Sequence, residues 1–279
     1  MRIQILLPLL LLFLLGGCGQ KEKTQQNKNY NAHEISSIHI QNDSWQLALL
    51  ASPDEDVHIS AQSPDDETTI KQTDGILTII QTDGPKNTLE QFSFSKKGKL
   101  SLSLPADMHC PISVENNSGD MEICNIACSD FLLDNSSGYG KFTNLTMDTA
   151  KINTASGDIC IADSQITDIQ MHSSSGYLFL DNPSVTNIEL HAKSGEAEIS
   201  QVEGNINLGI STQSGDITVS YQSPPDNLNF QIASNSKDIS AKLQGAVYET
   251  DAPDCKQGTI GTGESHLNIQ SDSGTVVIR

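Results

Sequence analysis

His172 and His191 stand 19 residues apart, four residues before Gly176 and Gly195 of two Ser-Gly pairs, with Lys193 close behind the second. Imidazoles titrate near neutral pH, so two at matched positions raise the question of acid–base work. Such work needs a nucleophile or an orienting carboxylate at fixed spacing, and the sequence ties none to this pair. The two histidines read as a surface patch, and no catalytic residue is assigned. A glycan-active enzyme is the remote alternative, since parallel β-helices also carry polysaccharide-cleaving sites. Those sites need an acidic cluster with a basic residue on one face, which is not found here.

Acidic residues directly follow the glycine of several such pairs: Asp120, Asp158, Glu196 and Asp216. Hard cations need clustered oxygens, but acidic positions alternate with Tyr139 and Tyr177, leaving neighbouring carboxylates about 10 Å apart at strand spacing. Solvated turns are the expectation, with no metal site and no cofactor. Cys124 and Cys128 have the short spacing of a metal clip, yet no histidine lies at ligand spacing. Cys110 lies nine residues before Gly119 and Cys128 ten before Gly138, which makes them near neighbours in a repeat and a disulfide candidate in an exported chain. Cys124 and Cys160 face outward two turns apart, and with Cys255 the count past Cys18 is odd.

What positions these residues is a repeat. Ser118-Gly119, Ser137-Gly138, Ser156-Gly157, Ser175-Gly176, Ser194-Gly195 and Ser214-Gly215 are separated by 19, 19, 19, 19 and 20 residues. A fixed period near 20 is too short for a helix pair or a propeller blade and marks a chain wound into stacked turns. Apolar residues fall seven and five before each glycine, as in Ile169/Met171, and two and four after it, as in Leu178/Leu180. Period-two runs of that length are half-buried strands, so each copy reads strand, Ser-Gly turn, strand. Gly140/Phe142 is the imperfect copy. Glycine at the corner is expected to supply positive φ, and serine a hydrogen bond to nearby backbone. The predicted fold is all-β: a single-stranded parallel β-solenoid of about 19–20 residues per coil with an irregular N-terminal β cap.

Ile3 to Leu15 is apolar except for Gln4 and ends in Leu15-Gly16-Gly17-Cys18. Thirteen residues cannot cross a bilayer core of about 30 Å as a helix, so the run reads as a signal peptide. The small residues before Cys18 resemble the lipobox of bacterial lipoproteins. That resemblance implies cleavage after residue 17 and lipid attachment at Cys18, with the body exported and held at the cell membrane. Four Asn-x-Ser/Thr triplets, at Asn42, Asn116, Asn135 and Asn144, read as chance in such a protein.

The chain has 16 Lys and Arg against 35 Asp and Glu, a net charge of −19. Nucleic acids are excluded as partners, and membrane attachment would rest on the lipid rather than on the acidic body. Four segments are expected. Residues 1–17 form the signal and 18–34 the lipidated cysteine with a polar, flexible tether. Residues 35–104 form irregular β coils that cap the stack, a separately folded β domain being the alternative, and 105–279 form the repetitive solenoid of eight or nine turns, on the order of 40 Å long. Within 105–279 the register loosens after Tyr221, where Ser236-Lys237-Asp238 stands in place of Ser-Gly-Asp. It returns at Ser273-Gly274.

The strand Leu102-Ser103-Leu104-Pro105 leading into Asn117-Ser118-Gly119-Asp120, followed by Ser-Gly-Asp segments, resembles the putative-adhesin family of β-strand-repeat cell-envelope proteins. The likeness spans about Ile38 to Arg279. It implies a non-enzymatic envelope domain in a family largely of unknown function, some of whose relatives resemble components of envelope-stress responses. The expected function is binding of an envelope protein or glycan by a lipid-anchored module, adhesin-like or stress-sensing. The alternative is a structural, self-assembling rod.

Overall fold

The computed structural model describes residues 24–63, 68–83 and 98–279. The apolar N-terminal run and Cys18 lie outside them. Among the described residues the only helical element is the 3-10 turn Ala32–Glu34, and no helix is long and apolar enough to cross a membrane.

Each Ser-Gly repeat makes one coil of two strands. A longer strand precedes the pair and a shorter one follows, as with Gln165–Ser173 and Leu178–Asp181 around Gly176. The long strands pair in parallel in one sheet and the short strands in another, so two sheets stand where a single-stranded solenoid was expected. The register advances by one repeat per coil: Met171 pairs with Ile152 on one side and Leu190 on the other. The inward columns are buried and belong to one continuous core, with Ile169, Met171, Leu178 and Leu180 all at most 2% exposed. Four such aliphatic side chains per coil stabilise the stack by roughly 1.5–3 kcal/mol each, as an upper estimate. In the imperfect copy, Phe142 meets Phe131 edge-on at 5.9 Å, and a Cβ on Gly140 would lie 3.0 Å from the Phe142 ring. The missing side chain makes room for the large one.

Stack order departs from sequence order at both ends. Ser37–Asn42 and Gln46–Ala51 form the coil beneath the Gly119 coil, and Ile76–Gln81 with Lys99–Leu104 lies outside it. At the other end, Ser265–Ser271 and Val276–Ile278 insert between the Gly215 coil and Leu228–Ser234 with Ile239–Ala241. The copy at Gly274 is therefore next to last in space although last in sequence. Ten two-strand coils result among the described residues, on the order of 45 Å of stack at strand spacing. Antiparallel strands finish the long-strand sheet: Thr68–Thr73 at one end, Cys255–Ile260 and Val247–Asp251 at the other.

Thr24–Asn31 corrects the expected tether. It is a strand, antiparallel to Asp56–Ser63 at the edge of the short-strand sheet. Its composition is polar because an edge strand needs only backbone bonding on one side. Side chains help fix it: Tyr30 packs against the core, Lys28 Nζ donates to the Ile70 carbonyl at 2.8 Å, and Asn29 Oδ1 lies 3.0 Å from His58 Nδ1.

Candidate functional site

The corner that bears the Ser-Gly pair is a column of backbone contacts. A Cβ on Gly138, Gly157, Gly176, Gly195 or Gly215 would lie 1.8–2.2 Å from the carbonyl oxygen of the glycine one coil below. Only a residue with no side chain lets coils stack there. Positive φ is not the reason, contrary to expectation. The left-handed positions lie six residues later, at Asn125, Asn144, Asp163, Asn182 and Gln201, with φ between 49° and 56°. Asn and Asp tolerate that conformation best among residues with a side chain. Asn144 Nδ2 donates to Asn125 Oδ1 at 3.1 Å and Asn182 Nδ2 to Asp163 Oδ1 at 2.7 Å, tying these corners between coils.

Serine binds the adjacent coil rather than its own turn. Ser137 Oγ donates to the Asn117 carbonyl at 3.0 Å, and Ser118, Ser156, Ser175 and Ser194 repeat the bond. Three residues before each glycine runs a buried polar ladder that sequence reasoning missed. Asn116 Nδ2 donates to the Gly119 carbonyl at 2.7 Å and to Asn135 Oδ1 at 2.8 Å, and Asn135 continues to Gly138 and Thr154. All these amides donate in one direction along the stack, so the first acceptor, Asn42 Oδ1, has no partner among the described residues. The signal was present as Asn, Thr or Ser at 116, 135, 154, 173, 212 and 271, with Ala192 the one gap. Burial of Asn42, Asn116 and Asn135, all at most 4% exposed, also closes three of the four glycosylation triplets.

The acidic residues after the glycines serve backbone. Asp120 Oδ1 accepts from the Tyr139 N–H at 3.2 Å, Asp158 from Tyr177 at 2.9 Å and Asp216 from Thr275 at 2.7 Å. Alternation of Asp with Tyr thus bridges successive coils. Tyr177 stacks on Phe179 at 5.9 Å on the short-strand face, and its hydroxyl donates to Glu198.

The outward face of the long-strand sheet gathers the titratable groups. His172 and His191 stack with ring centroids 5.0 Å apart. Glu189 Oε1 lies 3.1 Å from His191 Nε2, and Ser211 Oγ lies 2.6 Å from Nδ1. This carboxylate corrects the expectation that none is tied to the pair. Glu189 and His191 are two apart on one strand and so share a face. Burial, the charge of His191 and that of Lys151 hold the His172 imidazole below its ordinary value, against an opposing pull from Glu189. A parallel column is joined the same way: Asp130 accepts from Thr149, Asp168 from Asn187, and Asn187 from Asn207. Two shallow depressions of about 630 and 820 Å³ open on this face, the first around His172 and His191, the second around Asn187 and Gly209.

Glu189, His191 and Ser211 form a carboxylate–imidazole–hydroxyl line, but acyl transfer also needs oxyanion donors. Ser211 sits in a strand paired on both sides, so the ladder already takes its flanking backbone N–H groups. Cys110 and Cys128 are both buried thiols in this structure, close enough that the charge of one raises the pKa of the other.

The fold is shared with solved structures of low sequence identity. A putative adhesin from Bacteroides fragilis is 15% identical, with 93% of this chain and 99% of that one covered at a TM-score of 0.54. A putative lipid binding protein from Parabacteroides distasonis is 13% identical, with coverage of 91% and 96% and a TM-score of 0.51. No curated protein matches the chain. The Toastrack DUF4097 family model matches residues 35–279, from the first inner coil to the last strand, and the chain belongs to that family.

Proposed function

We propose that the protein is a lipid-anchored, non-enzymatic module of the bacterial cell envelope that binds an envelope ligand along an outward sheet face, in an adhesin-like or stress-sensing role. The observation that carries this reading is the long-strand face. Its side chains are held in ladders across successive coils, and its two depressions are open rather than enclosed. Such a surface suits an extended partner better than a small substrate. The Bacteroides fragilis neighbour, a putative adhesin, accords with it.

Anchoring is supported by the Leu15-Gly16-Gly17-Cys18 sequence. The first strand begins at Thr24, and six residues span about 20 Å at most. A lipid on Cys18 would hold the N-terminal edge of the stack close to the membrane. An exported chain also permits a Cys110–Cys128 bridge. End-to-end assembly is the weaker reading, because antiparallel strands finish the long-strand sheet at both ends.

The test uses the full chain carrying Cys18→Ser. It should leave the membrane fraction and, as bait, retain envelope material that a His172→Gln/His191→Gln variant retains poorly. A chain that stays with membranes contradicts the anchor. A bait that retains nothing contradicts the binding role.

A further inference from the structure

The chemistry of the long-strand face narrows the ligand class, and this step rests on the binding reading above. We infer that the face recognises an extended, uncharged glycan lying along the stack over the Gly138 to Gly274 coils.

The two depressions adjoin, with Glu189 and Gly209 in one and His191 and Ser211 in the other. Beside the titratable groups, their lining carries uncharged amides that donate and accept hydrogen bonds: Asn153, Gln170, Asn187, Asn207, Asn268 and Gln270. Three of the four carboxylates in the lining are engaged, and the fourth, Asp272, is exposed. Asp134 accepts from Asn153, Asp168 from Asn187, and Glu189 faces His191. A cationic peptide would find few free charges to pair with, and the net charge of −19 opposes an anionic polymer.

Protein interfaces have an apolar, aromatic centre, and this stretch of the face has none. Over these coils Leu132, 39% exposed, is the one exposed large hydrophobic side chain of the long-strand face. Hydroxyl-rich rings, in contrast, are recognised by fixed planar amides and imidazoles. Ladder bonds hold Asn187 and Asn207 before any ligand arrives, which lowers the ordering entropy of binding.

Gly209 adds shape. Its column continues Lys151, Gln170 and Glu189 and resumes at Asn268, with no side chain at Gly209 itself. A Cβ there would lie 2.2 Å from Glu189 Oε2, so the carboxylate lies across the strand in the space a side chain would take. Rungs recur at about 4.8 Å, so a polymer of repeating rings meets similar donors and acceptors from coil to coil.

The experiment is calorimetric titration of the full chain carrying Cys18→Ser with cellohexaose, chitohexaose, hexagalacturonate and hexalysine. A neutral hexasaccharide should bind roughly tenfold or more tighter than its disaccharide. Asn187→Ala/Gln270→Ala should weaken it by a similar factor with the unfolding temperature unchanged, and Gly209→Gln, which displaces the Glu189 carboxylate from over the strand, should weaken it likewise. Binding of hexagalacturonate or hexalysine in preference to both neutral chains overturns the inference. So does capture of an envelope protein by a chain that ignores both. In those cases retention of envelope material survives and only the ligand class fails, whereas loss of all retention defeats the binding reading itself.

Discussion

The carbonyl oxygen of Gly157 occupies the space a Cβ on Gly176 would need, at 2.1 Å. Neither backbone can retreat without parting the sheets on both sides of the corner. Gly176→Ala should therefore lower stability by about 1–3 kcal/mol as an overpacking change. The expected loss in melting temperature, read by circular dichroism, is several degrees at this chain size. An unchanged melting temperature would mean that the corner is looser than the stacked carbonyls indicate.

Ala192 interrupts the buried polar ladder. In the coils on either side, Ser173 and Thr212 oxygens donate to the carbonyls of Gly176 and Gly215 at 3.0 and 2.8 Å. Ala192 has no group to offer the matching carbonyl of Gly195. Ala192→Ser restores the column in a slot that already holds Ser and Thr, and should stabilise the chain by about 0.5–1.5 kcal/mol. Chemical denaturation with the midpoint raised and the slope unchanged is the expected result.

His172 should titrate below an ordinary histidine, because burial and the charge of His191 disfavour its protonated form. The unfolded chain then takes up the proton first, so this group withdraws stability as pH falls through the ordinary imidazole range. His191→Gln should move the His172 titration upward in an NMR series while leaving it short of the ordinary value, since burial is the larger cause. A downward movement would contradict the stacked pair.

Burial pushes the Cys128 thiol up to about 12, with smaller contributions from Cys110, Asp130 and Asp148. In the reduced, folded chain at pH 8, iodoacetamide should label the partly exposed Cys124, Cys160 and Cys255 before Cys128. In the exported chain, a non-reducing peptide map should show Cys110 and Cys128 joined. Separate peptides would remove the bridge.

The inward columns were legible from the glycine offsets because burial of alternate side chains writes itself directly into apolar spacing, as at Ile169, Met171, Leu178 and Leu180. Division into two sheets was not, since periodicity shows that strands alternate but not how the chain bends between them. The reason for glycine was misread for a similar cause. A close approach and a positive φ demand the same residue, and only coordinates separate Gly176 from the left-handed Asn182. Thr24–Asn31 went unseen because an edge strand leaves its signature in backbone bonds rather than side chains. On the candidate face, His172 and His191 could be placed by phase alone. Glu189 was within reach by the same phasing, two residues before His191 on the same face, while the closeness of Ser211 needed the coil-to-coil register.

Retention of envelope material bears most directly on the account. The full chain carrying Cys18→Ser, used as bait in mild salt, should hold an envelope component. Adding Asn187→Ala and Gln270→Ala should release it without lowering the melting temperature. Equal retention by both chains, or none by either, would contradict a binding role for the long-strand face.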